Sequence, residues 1–403
     1  MNESGEDLPL RRFQRIGMEA LAGIAGALLL AGAIWTQQSW WDRHFLPVFF
    51  FSHDKYVLGE RLTRLVCGIT GIALILFVRP MLGRLARRMT APELAAATAR
   101  IALAIGLALV ASEVLLDRHF TFAAAEKQDR EEPLRQPNPK LGWIFSPARA
   151  ERTIVGGRTI AYAIDPLGYR VRDNKSAVNT SLPTILFTGE SIIAGYGLNW
   201  NETIPTQVGA ALGMQSANMA VFGYANDQAY LRLVAELPRF RQPVAVVSLF
   251  IPSLFVRNLG DDRPHLDSAL GWKPAIHRLW LSALLRFFVP YHSDTEIERG
   301  IQTTRTVLAA TTAMAHKRGA ISLVVDPQYG PESPAEEMLR RRILDEPGIP
   351  YVRVMLDPSW HLKGDLHPDP RAAQAIAAAI TARLKAALAQ RADARGIQSF
   401  MAR

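Results

Sequence analysis

The sequence predicts a three-layer α/β protein, with a mainly parallel sheet between two layers of helices, preceded by a membrane region of three helices. Two observations lead to this prediction. Three long apolar stretches, at about residues 16–35, 62–82 and 94–116, occupy the first third of the chain. From about residue 141 onward, short apolar runs alternate with helical patterns, which is typical of strand–helix–strand units.

Composition excludes several classes of protein. The chain has 403 residues, of which 49% are hydrophobic and 21% charged, so it is neither disordered nor collagen-like. The single cysteine, Cys67, excludes an intramolecular disulfide and a multi-cysteine metal site. The net charge of +9 is not concentrated in a run with interleaved aromatic residues, so we expect no nucleic-acid partner.

The three apolar stretches are predicted to cross a membrane. The first, Ile16–Trp35, is long enough to span roughly 30 Å as a helix, which is the thickness of the hydrocarbon core. Trp40 and Trp41 follow it at the place of an interfacial aromatic belt. The alternative is a set of buried core helices in a soluble domain, but three such helices within 116 residues are hard to bury.

The distribution of basic residues predicts the orientation. The densest cluster, Arg84–Arg88, lies between the second and third stretches and favours a cytoplasmic amino terminus. Three crossings then put everything after about Asp117 outside the cytoplasmic membrane. Residues 118–140 are predicted as a linker, because Glu126–Pro139 is polar and contains three prolines. The catalytic or binding domain is expected over residues 141–403.

Strands and helices alternate along that domain. The predicted strands are 184–188, 216–220, 245–251, 321–325 and 351–355. The predicted helices are 204–212, 226–237, 301–318, 334–344 and 370–388. In a parallel sheet of this kind, ligands bind beyond the carboxyl ends of the strands. The residues that follow each strand are therefore the candidates for function.

A serine and a glycine follow the first two predicted strands. Ser191 comes after Gly189-Glu190, close to a predicted helix start, where backbone N–H groups can face a developing oxyanion. Gly223 follows the second strand and permits a close backbone approach. The alternatives are a serine that caps the next helix and an ordinary turn glycine.

An aspartate and a histidine follow the last predicted strand. His367 in this position is a candidate base for the serine, with Asp365 holding the imidazole in one tautomer. Residues two apart in an extended segment point to the same side, which makes this contact feasible. The alternative is a surface Asp and His in a loop.

These three sites together resemble the SGNH/GDSL hydrolase family over about residues 180–388. Gly189-Glu190-Ser191 with Gly195 resembles its first block, in which Asp is more usual than Glu. Gly223 matches the glycine of the second block, and Asp365 and His367 match the last block. The resemblance implies a flavodoxin-like sheet, Ser191 as nucleophile, and the N–H groups of Ser191 and Gly223 as oxyanion donors.

Two upstream segments extend the resemblance. Many membrane-anchored members have a segment like Pro139–Trp143 and another like Pro166–Arg170. The sequence departs from the family in the last block, where Asp usually stands three residues before His and Gly364 stands here. Some relatives, including alginate O-acetyltransferase-like proteins, have the Asp-x-His spacing found here.

The third block is the larger departure. The family places an Asn oxyanion donor after the third strand, where this chain has Ser253-Leu254. Ser253 is a candidate third donor through its hydroxyl, and Asn258 can substitute only if the loop folds back. Arg257 and Asn258 are candidate substrate-binding residues in a polar loop, for which a solvated loop is the alternative.

The segment Trp272–Tyr291 is apolar but contains Arg278 and Arg286, which argue against a fourth span. A helix packed on the domain is expected here. The alternatives are a lid and a helix at the membrane interface.

The predicted function is a membrane-anchored serine hydrolase that acts on ester bonds through an acyl-enzyme. O-acetyl esters of cell-envelope glycans are the candidate substrate, with membrane lipid as the other partner, and neither a cofactor nor a metal is expected. An O-acyltransferase of envelope polysaccharide is the alternative, because the acceptor site is not encoded in these blocks. A non-catalytic polysaccharide-assembly or binding protein on a decayed hydrolase fold is the alternative of another class, motivated by the missing Asn.

Overall fold

The computed structural model describes residues 7–46, 53–130, 134–276 and 278–401. The chain forms two units. The first consists of the amino-terminal part as far as Ala123 together with Arg278–Tyr291. The second contains nearly all of the rest.

The first unit is helical. Its amino-terminal helices are α1 (Asp7–Trp35), α2 (Gln38–His44), α3 (His53–Ala73), α4 (Arg79–Arg88) and α5 (Ala91–Arg130). A π-helical turn, Leu74–Val78, joins α3 to α4 just before Pro80, whose missing N–H interrupts regular helix bonding. The backbones of α1 and α3 approach closely, since a Cβ on Gly26 would lie 2.8 Å from the Gly71 carbonyl oxygen.

Three stretches of this unit are long and apolar enough to cross a membrane. They are Arg15–Trp35, Tyr56–Ala86 and Ala95–Arg118, whose most apolar windows are 11%, 6% and 0% buried. Large apolar side chains such as Leu28, Phe77 and Leu103 are more than half exposed. Such a surface suits lipid, because water would solvate it poorly.

The remaining elements follow in chain order. The strands are β1 (Arg135–Asn138), β2 (Gly142–Phe145), β3 (Ala150–Val155), β4 (Arg158–Ile164), β5 (Arg170–Val171), β6 (Pro183–Phe187), β7 (Gln215–Asn218), β8 (Gln242–Leu249), β9 (His265–Leu266), β10 (Trp272–Lys273), β11 (Ile321–Tyr329) and β12 (Tyr351–Leu356). The helices are α6 (Ser191–Ala194), α7 (Ile204–Leu212), α8 (Asn226–Glu236), α9 (Trp280–Phe288), α10 (Asp294–Lys317), α11 (Pro334–Arg340) and α12 (Pro370–Met401).

The central sheet confirms the predicted α/β class with a mostly parallel sheet. Its order is β12-β11-β8-β6-β7-β5-β4-β3. The first five strands are mutually parallel, and β5, β4 and β3 extend the sheet as antiparallel strands, which the sequence analysis did not predict. The parallel strands taken in chain order run 2-1-3-4-5, so the order reverses between β6 and β8, where doubly wound sheets bind ligands.

Helices cover both faces of this sheet. Phe187 of β6 points into a core that it shares with α7 and α12, whereas Leu186 points to the opposite face with α8 and α10. On α12, Ile376 and Ile380 are completely buried. The stretch Pro370–Ala392 is also long and apolar enough to span a membrane, but 39% of its most apolar window is buried because one side of the helix packs on the sheet.

Two expectations about segment boundaries need correction. Of the expected linker 118–140, the part up to Arg130 continues helix α5 and β1 begins at Arg135, while 131–133 lie outside the described residues. Polar composition alone does not end a helix whose backbone bonds continue. The helix expected to pack on the α/β domain within Trp272–Tyr291 is α9, and it belongs to the first unit instead.

Candidate active site

Ser191 lies where β6 passes into helix α6. The turn needs Gly189, whose φ is +152° and whose Cβ, if present, would lie 3.2 Å from Ile193 Cγ1. Helix α6 starts at Ser191, and only 4% of the serine is exposed. The serine therefore sits at the carboxyl end of the strand next to the point where the strand order reverses.

Ser191, His367 and Asp365 form one chain of hydrogen bonds. The Nε2 atom of His367 lies 2.8 Å from Ser191 Oγ, and Nδ1 lies 2.6 Å from Asp365 Oδ1. The bond from His367 lowers the pKa of the Asp365 carboxyl below its usual value. A carboxylate on Nδ1 holds the proton there and leaves Nε2 able to accept the serine proton.

A tight loop allows Asp365 and His367, two residues apart, to form a side-chain hydrogen bond. The backbone N–H of His367 donates to the same Asp365 oxygen as the imidazole, at 2.8 Å. The N–H of Leu362 donates to the His367 carbonyl at 2.9 Å, and Gly364 turns the chain with a φ of +74°. The loop therefore folds back on itself and brings the two side chains together.

The second carboxylate in contact with Ser191 belongs to Glu190. Its Oε2 accepts hydrogen bonds from Ser191 Oγ and, at 2.9 Å, from Arg257 Nη1. Its Oε1 accepts from the N–H of Ile192 at 3.0 Å. Because a serine hydroxyl has one hydrogen, Glu190 and His367 compete for it. No role for Glu190 was predicted from the sequence. Its position directly before Ser191 is the feature that could have indicated one.

Gly223 belongs to a peptide that two side chains hold in place. Trp143 Nε1 donates to the Phe222 carbonyl at 2.8 Å, and Arg135 Nη1 donates to it at 3.3 Å. In a planar trans peptide the N–H of Gly223 points away from that carbonyl, so these donors also set its direction. Within the described ranges no hydrogen bond occupies this N–H or that of Ser191.

The upstream segment Pro166–Arg170 supports the backbone that follows Ser191. Arg170 is completely buried and donates to the carbonyls of Ala194, Gly195 and Leu198, the residues that follow the serine. Burial lowers its pKa to about 10, and its guanidinium lies 4.4 Å from the Tyr162 ring centroid. Both upstream segments of the family resemblance thus contact the backbone around the candidate oxyanion donors.

The residues of the third block do not all contact Ser191 or its neighbours. They lie in a 3₁₀ helix, Pro252–Leu259. The Asn258 side chain is engaged with Asn226, donating to its side chain at 3.0 Å and accepting from its N–H at 3.1 Å. The hydroxyl of the half-buried Ser253 has no hydrogen bond in the described part of the chain. Both residues of the predicted substrate-binding pair border a cleft beside Glu190, and Arg257 also donates a hydrogen bond to the Glu190 carboxylate.

A cleft of about 330 Å³, counted with its open mouth, lies beside Glu190. Its apolar lining comes from Gly189, Ala225, Ala229, Leu249, Ile251 and Leu254. Leu254 rather than Ser253 borders this cleft.

Tyr196 is a further residue of the site that the sequence did not indicate. Its ring centroid lies 4.5 Å from that of His367, so the tyrosine ring limits movement of the imidazole.

Comparison with known proteins gives structural neighbours only. No family model and no curated protein matches the chain. A protein from Desulfitobacterium hafniense described as lipolytic, of the G-D-S-L family, is 12% identical, with a TM-score of 0.34 over 51% of this chain and 99% of its own. An acetyl xylan esterase from Butyrivibrio proteoclasticus is also 12% identical, with a TM-score of 0.33 over 53% of this chain and 66% of its own.

A third neighbour is a family two carbohydrate esterase from Clostridium thermocellum, solved in complex with cellohexaose. It is 14% identical, with a TM-score of 0.32 over 53% of this chain and 67% of its own. The neighbours are thus GDSL-family and carbohydrate esterases.

Proposed function

We propose that this chain is a membrane-anchored serine enzyme that cleaves ester bonds through an acyl-enzyme. The observation that carries the proposal is the continuous chain of hydrogen bonds from Asp365 through His367 to Ser191. A serine hydroxyl is a weak nucleophile until an adjacent base removes its proton. An imidazole bonded to a carboxylate through Nδ1 and to the serine through Nε2 is arranged for that transfer.

The reaction proceeds in two halves. Ser191 Oγ bonds to the ester carbonyl carbon while its proton moves to His367 Nε2, and the carbonyl oxygen becomes an oxyanion facing the N–H groups of Ser191 and Gly223. The bond to the alcohol then breaks, and His367 returns the proton to the departing oxygen. Asp365 stabilises the imidazolium throughout. In the second half, the acceptor hydroxyl attacks the acyl carbon while its proton moves to His367 Nε2. The bond to Ser191 Oγ then breaks, and His367 returns the proton to that oxygen.

The acceptor decides between hydrolase and transferase. Water yields an esterase, and a sugar hydroxyl yields an O-acyltransferase of envelope polysaccharide. The specific observation that favours the transferase is the Asp365-x-His367 spacing, which resembles that of alginate O-acetyltransferase-like proteins. The two activities are separated by loading Ser191 with a labelled acyl group and then adding an oligosaccharide acceptor. Only a transferase moves the labelled acyl group to the sugar.

The anchor belongs to the same proposal. Three helices, Arg15–Trp35, Tyr56–Ala86 and Ala95–Arg118, cross the cytoplasmic membrane, with the amino terminus inside and residues 141–403 outside. A reporter active only outside the cytoplasm should be active when fused after Gln390, and one fused near Arg88 should be cytoplasmic. The opposite pattern would reverse the orientation. O-acetyl esters of envelope glycans are the proposed substrates, supported by this location and by the small apolar cleft beside Glu190.

The activity is tested with the full chain in detergent micelles and an acetyl ester of a chromogenic alcohol. We expect turnover and covalent labelling by a fluorophosphonate probe, with both lost in Ser191→Ala. The matched control is Ser268→Ala, an exposed serine outside the site, which should behave as wild type. Equal turnover in Ser191→Ala and wild type would remove the enzyme assignment for that ester. A folded chain that never labels would favour the non-catalytic polysaccharide-binding protein.

A further inference from the structure

Helix α9 is held at its start by two carboxylates of helix α5. The Glu113 carboxylate accepts hydrogen bonds from the N–H groups of Trp280, at 2.6 Å, and Leu281, at 2.8 Å. Asp117 Oδ1 accepts from Trp280 Nε1 at 3.0 Å. A carboxylate on free N–H groups in the first turn stabilises a helix start. Both acidic residues lie at the end of the apolar stretch Ala95–Arg118.

The chain after α9 is held at helix α2. The Tyr291 ring centroid lies 5.3 Å from that of His44 in a stacked arrangement and 6.1 Å from that of Trp40. Phe45 adds an edge contact at 5.9 Å. Helix α2 follows directly on the end of the apolar stretch Arg15–Trp35. The segment Arg278–Tyr291 therefore contacts helices α2 and α5 of its own unit beside the ends of two apolar stretches.

Those two ends share one side of the membrane if the three stretches cross it in turn. The first crossing ends at Trp35, the second returns, and the third ends at Arg118 on the same side as the first. The segment Arg278–Tyr291 contacts both ends and thus lies at the boundary between hydrocarbon and water. Trp40, Trp280 and Tyr291 are the residue types enriched at that boundary.

Several large apolar side chains of this segment are exposed, next to the exposed Arg278 and Arg286. Leu279 is 68% exposed, Leu285 65% and Val289 49%. The exposed Arg286 follows directly on Leu285 and adds a basic residue to this surface. Exposed apolar side chains with a basic residue and flanking aromatic residues are typical of helices that lie in the plane of a membrane interface.

We propose that Arg278–Tyr291 is a membrane-interface segment whose exposed apolar side chains insert into the acyl-chain boundary of the bilayer. The occupant of the exposed face is lipid, because the segment contacts residues beside the ends of two apolar stretches whose own large apolar side chains are exposed. The proposal rests on the membrane anchoring proposed above. It adds that a segment far along the chain, between the third block and α10, is part of the membrane-embedded surface.

The test measures lipid contact directly in vesicles of phosphatidylcholine. Cys67, the only cysteine, is changed to alanine, and one cysteine is introduced at a time for an environment-sensitive fluorophore: Leu285→Cys in α9, Leu103→Cys in the third apolar stretch and Ala269→Cys in an exposed loop. Lipids brominated at shallow or deep acyl positions quench fluorophores that they touch. Co-elution with wild type on gel filtration checks that each variant is folded.

We expect shallow-brominated lipid to lower the fluorescence at residue 285 about twofold or more, and more than deep-brominated lipid does. Residue 103 should respond most to deep-brominated lipid, and residue 269 should respond to neither. Quenching at 103 without quenching at 285 overturns the α9 proposal and leaves the anchoring intact. No quenching at 103 contradicts the anchoring itself. Shielding of residue 285 from both lipid and aqueous iodide means that protein covers the face, which also overturns the proposal.

Discussion

The two sides of the candidate site differ in what their strand ends contribute. On one side, the ends of β6 and β7 carry Ser191 and the Gly223 peptide. Side chains hold both, since His367 bonds to the Ser191 hydroxyl and Trp143 bonds to the Phe222 carbonyl. On the other side, the end of β8 carries no Asn in the family position, and Asn258 is bonded to Asn226 instead. What β8 contributes to the site is Arg257, through its bond to Glu190.

This difference shows that a polar residue after a strand end can be engaged by a structural partner. Asn258 stabilises the start of helix α8, because its partner Asn226 is the first residue of that helix. Arg257 forms an ion pair with Glu190, whose carboxylate accepts a hydrogen bond from Ser191. If this comparison is correct, substitutions on the β6–β7 side and in the Asp365–His367 loop should cost much more activity than substitutions after β8.

The largest effects should come from the acid–base pair. His367→Ala removes the base, and Asp365→Asn favours the wrong imidazole tautomer, so each should lower kcat by about 10⁴. Turnover of one activated ester by both variants measures this, with His316→Ala, an exposed histidine on α10, as the control. A nearly silent Asp365→Asn would mean that Ser191 and His367 act as a dyad. A wild-type rate in His367→Ala would contradict the proposed mechanism.

A smaller loss is expected from Gly223→Ala. The φ of Gly223 is +78°, and a Cβ would lie 3.3 Å from both Arg135 Nη1 and Trp143 Cζ2, so the added methyl disturbs the groups that orient the peptide. Loss of one oxyanion donor should lower kcat by about 10²–10³. Gly213→Ala is the matched control, because Gly213 also has a positive φ, +62°, but has open space around it.

The two glycine variants separate catalysis from backbone strain. Both should lower the free energy of unfolding by about 1 kcal/mol, since both place a side chain in the left-handed region. Only Gly223→Ala should lose turnover. Equal kinetic losses in the two variants would show that strain, and not the oxyanion donor, causes the effect.

The contribution of β8 is measured by a double-mutant cycle. Arg257→Gln leaves the buried Glu190 carboxylate without its cation, so Glu190 retains the serine hydrogen more strongly, and we expect kcat to fall about tenfold. Glu190→Gln in the same chain should recover part of that loss. Turnover of wild type, both single variants and the double variant gives the coupling. Strictly additive losses would contradict the competition between Glu190 and His367 for the Ser191 hydrogen.

The smallest effect is expected from Ser253→Ala. Leu254 rather than Ser253 borders the cleft, and the Ser253 hydroxyl has no hydrogen bond within the described residues, so kcat should change less than about threefold. A loss of about 10²–10³ would instead identify Ser253 as the third oxyanion donor. That result would show that the segment after β8 contributes to activity as much as the β7 side does.

Two apolar helical stretches of nearly equal length show where prediction from the sequence reaches its limit. Ala95–Arg118 has a mean hydropathy of 2.0 with 0% of its apolar window buried, and Pro370–Ala392 has 1.2 with 39% buried. Both satisfy the same criterion of length and composition. The second packs on the sheet through Ile376 and Ile380, and that packing depends on strands distant in the chain.

The sequence by itself determined the features that depend on neighbouring residues. The glycines around Ser191 permit a tight turn after a buried strand, the Asp365-x-His367 spacing permits a closed loop, and alternation of apolar runs with helical patterns indicates a parallel sheet. These are local because backbone dihedral angles and side-chain periodicity are set within a few residues.

Only the tertiary structure decided which distant side chains support that local site. Trp143 lies 79 positions before the Phe222 carbonyl that it holds, and Arg257 lies 67 positions after Glu190. Nothing in the local pattern of either residue identifies its partner. Partners so far apart meet only when the sheet order brings their strands together, because packing, and not sequence proximity, determines which polar groups are buried side by side.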